Sequence, residues 1–68
     1  MTQERAEQIL LAWFEELGLD PAPTITRVHS PQKSRGHEYC RIETENPDAA
    51  FLVYSNEHVT DVQGIYQK

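Results

Sequence analysis

A change of hydrophobic period at Pro23 decides which class of fold is open to this sequence. Before Pro23, apolar residues recur at helical spacing; after it, β-branched and aromatic residues fall into short extended runs separated by turn residues. Both patterns share 68 residues, so one helix and a sheet must build a single core. The expectation is an α+β domain over residues 1–68, one N-terminal helix packed on an antiparallel sheet of three to four strands in meander order. A chain this short buries only about 60% of the surface its unfolded form exposes, so a deep enzyme-type pocket would consume core it can hardly spare.

Ala6, Ile9, Leu10, Trp13 and Leu17 recur at intervals of three and four and predict a helix over residues 3–17, with Trp13 in the core and Phe14 at its margin. Thr2 is the expected N-cap, followed by Glu4 and Glu7 near the positive end of the helix dipole. Leu17-Gly18-Leu19 reads as a glycine C-cap, and Asp20-Pro21-Ala22-Pro23 forbids continuation.

Thr24, Ile25, Thr26 and Val28 mark a first strand, in which the opposite parity of Ile25 and Val28 implies a bulge or an edge position. Ser30–Gly36 holds no large apolar residue and predicts an exposed hairpin loop. From His37 to Glu45 alternation is clean, with Cys40 and Ile42 expected inward and Tyr39, Arg41 and Glu43 outward. Asn46-Pro47-Asp48-Ala49 predicts a turn, Ala50–Tyr54 a central strand, Ser55-Asn56-Glu57 a tight turn and Val59–Tyr66 a last strand. One helix covers one face of such a sheet. The other face then carries Tyr39, Arg41 and a flank of the Ala50–Tyr54 strand, including Tyr54, either as plain cross-strand neighbours or as a partner surface.

Charge is unevenly divided. Residues 1–20 sum to −4, residues 21–41 to +3 and residues 42–68 to −4, for a net −5. The basic segment is Arg27, Lys33, Arg35 and Arg41, which reads either as a phosphate or acidic-surface dock or as solubilising turn charge paired with neighbouring acids. A net negative chain without a nucleic-acid-binding motif argues against direct nucleic-acid binding. The converse is mimicry of a phosphate backbone by carboxylates, from Glu15, Glu16 and Asp20 at the helix end and from Glu43, Glu45 and Asp48 around one turn.

Chemistry finds little support. His37 and Cys40 have opposite parity in a strand, which separates them as metal ligands, and no paired-Cys or HxxxH spacing exists. The serines lie in turns without a nucleophile elbow, and three isolated glycines make no phosphate loop. No catalytic residue, cofactor or metal is therefore expected. The longest apolar run, Ile9–Phe14, is far short of the ~18 residues of a membrane span. The polar start reads as no signal peptide, and a single cysteine suits a reducing, cytoplasmic compartment.

The expected function is therefore binding: a non-catalytic inhibitor or adaptor that blocks a functional surface of a larger protein or complex. Size and charge are analogous to phage or mobile-element antagonists of host defence, including anti-CRISPR inhibitors. Expected contact residues are Glu15, Glu16, Asp20, Arg27, Lys33, Arg35, Tyr39, Arg41 and Tyr54. The alternative is phosphate or nucleic-acid binding through the basic first hairpin. Homodimerisation through a sheet edge or the open face is a third route.

Overall fold

A computed structural model describes residues 1–66; the C-terminal base, Lys68, lies outside them. Helix α1 spans Gln3–Glu16 and is followed by strands β1 (Ile25–Val28), β2 (Gln32–Ser34), β3 (His37–Thr44), β4 (Ala50–Tyr54) and β5 (Val59–Asp61). The class is α+β, with an antiparallel sheet of five strands in place of the three to four expected. The main order is β1-β3-β4-β5, and β2 pairs with the N-terminal half of β3 on the same side as β1. Thus β1 and β2 form one interrupted edge, broken at His29-Ser30-Pro31.

Local chemistry explains the ends of α1. The Thr2 hydroxyl accepts from Arg5 N–H at 3.0 Å. At the other end Leu19 N–H donates to Phe14 C=O at 3.2 Å and Gly18 N–H to Glu15 C=O at 3.0 Å, with Gly18 at φ 73°. This Schellman pairing satisfies the last carbonyls and needs a left-handed residue where Gly18 stands.

The buried stripe of α1 is Ala6, Ile9, Leu10 and Phe14, which meets Cys40, Ile42, Phe51, Val53 and Val59 from the sheet. Trp13 and Phe14 exchange the places expected of them: Phe14 is fully buried, whereas Trp13 is half-buried at the core margin and Leu17 is exposed. Positions 6, 10 and 14 are successive i+4 neighbours, so the stripe runs through Phe14 and leaves the larger indole on its flank. Phe14 packs edge-on to Phe51 with ring centroids 5.3 Å apart, and Tyr66 stacks on Phe51 at 5.9 Å.

Two further expectations change, and one alternative is settled. The Ser30–Gly36 segment is exposed as expected, but Gln32–Ser34 is strand. Its ladder closes through a two-residue turn with Arg35 at φ 54° and Gly36 at φ 80°, the paired positive angles that match the right-handed twist of a hairpin. Strand β5 stops at Asp61 and does not reach Tyr66. Instead Tyr66 N–H donates to Asp61 Oδ2 at 2.8 Å, folding the chain back onto the aromatic core and leaving Val62 and Ile65 exposed. The opposite parity of Ile25 and Val28 is resolved by both devices at once. β1 is an edge strand, and its register shifts between Ile25 and Arg27 so that both apolar residues face the helix layer.

Candidate functional site

Alternation along β3 and β4 puts Cys40, Ile42, Phe51 and Val53 under the helix and the intervening residues on the far face. On that face the register opposes Tyr39 to Tyr54, Arg41 to Leu52 and Glu43 to Ala50, with Thr60 beside Leu52 and Gln32 beside Tyr39. No helix covers it. The two tyrosine rings lie 5.7 Å apart, and Tyr54 is 5.8 Å from the His58 ring. Tyr39 donates its hydroxyl proton to Gln32 Oε1 at 3.0 Å, which fixes one ring of the pair. Tyr39, Leu52 and Tyr54 are each half-buried, a level at which side chains are held by the sheet yet still present surface.

Glu43 organises the other end of this face. The His29 ring N–H donates to its carboxylate across 3.2 Å, and Arg41 Nε lies 3.7 Å from the same oxygen. The hydrogen bond from His29 is the main reason that the Glu43 carboxyl sits below its ordinary range, with Arg27 and Arg41 adding attraction. These groups are 25–47% exposed, so the cluster is wet and reorganises easily. Two shallow depressions flank the face. One, of about 390 Å³, is lined by Thr26, Arg41, Glu43 and the Asn46–Ala50 turn; the other, of about 220 Å³, is lined by His37, Tyr54, Asn56, His58 and Thr60.

The expected contact residues are thus brought together only in part. Tyr39, Arg41 and Tyr54 share the open face, and Arg27 joins them opposite Glu43. Lys33 opposes Glu38, whose parity is that of the helix side, and Arg35 occupies the turn tip. From His37, where the turn ends, four strand steps or about 13 Å lead to Arg41, and Lys33 lies on the opposite parity, so the four cations do not form one patch. The carboxylates are likewise dispersed. Glu15 and Glu16 are exposed but about 100° apart around the helix, and Glu16 lines a groove with Trp13 and Arg5. Asp20 follows the helix cap in the exposed connection. In the second acidic row, Glu43 is engaged by His29 and Glu45 accepts from Thr24 N–H at 3.4 Å.

Sequence reading did not single out Leu52, and it weighed His29, His37 and His58 only as metal ligands or, for the last two, as acid–base groups. Pairing the two halves of the hairpin about the Asn46–Ala49 turn would have found Leu52, since it fixes the register that opposes Leu52 to Arg41. Cys40 is fully buried, and burial raises its thiol above the ordinary value, which suppresses the thiolate. Among the described residues, no group of three or more His, Cys, Asp or Glu side chains is placed to hold a metal ion, and no helix is long and apolar enough to cross a membrane. Comparison with protein-family models, with curated proteins and with solved structures finds no match to this chain.

Proposed function

We propose that this chain is a non-catalytic protein-binding module, a small inhibitor or adaptor whose sheet face covers a functional surface of a larger protein. One observation carries the reading: Tyr39, Leu52 and Tyr54 stand half-buried beside exposed Arg41 at the middle of a sheet face that no helix covers. Tyrosine and arginine are the residues that interface centres select, because they bring large contact area and directed hydrogen bonds at little ordering cost. A standard footprint of about 800 Å² per partner is roughly a sixth of the 4656 Å² surface of this molecule, within reach of one sheet face. Antagonism of a host-defence complex, anti-CRISPR-like inhibition included, is a role of this kind. Carboxylate mimicry of nucleic acid supports it less well, since Glu43 and Glu45 already make contacts inside the domain. No single observation favours the hairpin as a phosphate site.

The test places a photo-crosslinking benzoylphenylalanine at position 54 or at position 15 in lysate of the source organism, with and without nuclease. The reading expects one protein captured from position 54 under both conditions. Capture from position 15 alone, or only through nucleic acid, would overturn it.

A further inference from the structure

Strand β2 has no share in the core. Gln32, Lys33 and Ser34 are exposed on both faces, as is every residue from Ser30 to Gly36, and among the described elements β2 packs against β3 alone. It is held by a three-position ladder, Gln32 to Tyr39, Lys33 to Glu38 and Ser34 to His37. One side-chain hydrogen bond joins it, from the Tyr39 hydroxyl to Gln32 Oε1 at 3.0 Å. Lys33 adds a solvent-screened attraction to Glu38. A two-stranded ladder with no buried face is marginal in water, and segments with few buried apolar contacts and exposed backbone hydrogen bonds open locally before the whole domain unfolds.

The rest of β3 is held differently. Glu38 C=O accepts from Ser55 N–H on the β4 side at 3.0 Å, and Arg41 C=O accepts from His29 N–H on the β1 side at 2.9 Å. Backbone groups alternate sides along a strand, so those of His37 and Tyr39 point to β2 and those of Glu38 and Cys40 to β4. Strand β2 therefore covers this stretch of edge by itself. Chain slack lets it leave. Ser30–Gly36 bridges His29, opposite Arg41, to His37, a gap of four strand steps along β3 and one strand spacing across, about 14 Å. Seven residues reach about 24 Å when extended, so the released segment pulls on neither β1 nor the rest of β3.

We propose that β2 is a strap that opens as a unit while the rest of the domain stays folded, uncovering the edge of β3 at His37 and Tyr39. Pro31, which has no N–H, ends its ladder on one side, and Gly36, at φ 80°, ends it on the other. Closed, the strap caps an edge that is otherwise a template for strand pairing. Open, it presents that edge beside the aromatic face and releases the Tyr39 hydroxyl from Gln32. The device belongs to the free chain and does not depend on the protein-binding reading above.

Native-state hydrogen exchange of the intact chain, followed by NMR in a series of low urea concentrations, tests it. The Tyr39 and Cys40 amides are neighbours in sequence but face β2 and β4 respectively. Tyr39 is expected to be protected, yet to exchange about a hundredfold or more faster than Cys40 and Val53 and with little dependence on urea. Equal protection and equal urea dependence at Tyr39 and Cys40 would overturn the strap, and so would an unprotected Tyr39, which leaves no closed form. Gln32→Pro removes the β2 donor opposite Tyr39. It should abolish protection at His37 and Tyr39 while protection at Cys40 and Val53 and the urea midpoint stay as in the parent. A lowered midpoint or a parallel loss at Cys40 would make β2 part of the cooperative domain, and retained protection at Tyr39 would show that β2 is not its cover; each result overturns the proposal.

Discussion

Replacing Phe14 by alanine tests the packing that fixes which face of the sheet is covered. Phe14 is fully buried and touches three other rings, with centroids 5.3 Å from Phe51, 5.9 Å from Trp13 and 6.4 Å from Tyr66. Truncating such a residue costs about 3–5 kcal/mol, because the transfer energy is lost and the rigid surroundings leave a cavity. A core in a domain of this length rarely supplies more than about 3–5 kcal/mol in total, so Phe14→Ala should be unfolded at 25 °C. Trp13 is only half-buried. Removing roughly half of a ~200 Å² burial at about 25 cal/mol per Å² costs about 2.5 kcal/mol, so Trp13→Ala should remain folded with a lower melting point. Far-UV circular dichroism in a urea series, with methyl dispersion in one-dimensional NMR, separates the two. A cooperative transition for Phe14→Ala together with an unfolded Trp13→Ala would refute the placement of the stripe.

Tyr39→Ala and Tyr54→Ala should each cost only about 0.2–1 kcal/mol, the worth of a cross-strand pair; loss of the cooperative urea transition in either would show that the open face holds the fold together. Arg35→Asn should raise the melting temperature, because asparagine tolerates the left-handed conformation at φ 54° better than arginine does, and a fall would contradict a strained Arg35. Glu43 and Glu38 both have carboxyls below the ordinary 4.5, held there by hydrogen bonds from His29 and from the Met1 ammonium respectively. A depressed folded value adds stability above the ordinary value that disappears as pH falls through the folded one. Thermal melts between pH 7 and pH 3 should therefore decline below about 4.5, and Glu43→Gln should decline less steeply; an identical acid limb would remove that carboxylate from the account.

The helix, its caps and the hydrophobic face of β3 were legible because each rests on local pattern: the Thr2 cap, the Gly18 stop and the alternation about Cys40 and Ile42. The exchange of Trp13 and Phe14 was not. Periodicity admits both residues at the edge of one stripe, and the choice falls to the shape of the pocket formed by Phe51 and Tyr66. Strand β2 escaped notice because both its faces are exposed. A ladder held by backbone hydrogen bonds and the Arg35-Gly36 turn leaves no hydrophobic trace. The turn back at Tyr66 depends on Asp61, a contact between a strand end and a later residue that no strand period encodes. At the candidate site, Tyr39 and Arg41 shared a face by parity alone, and Tyr54 joined them through the β3–β4 register. The dispersal of Lys33 and Arg35 away from Arg41 needed the register.

The decisive measurement is the affinity for the protein captured from position 54, by isothermal titration calorimetry, of two double variants first shown to be folded. One is Tyr39→Ala with Arg41→Glu, on the open face; the other is Glu15→Lys with Glu16→Lys, at the helix end. The open-face account predicts that the first loses about 2 kcal/mol or more, roughly thirtyfold in affinity, while the second binds as the parent does. Unchanged affinity for the first, or a comparable loss confined to the second, would contradict it.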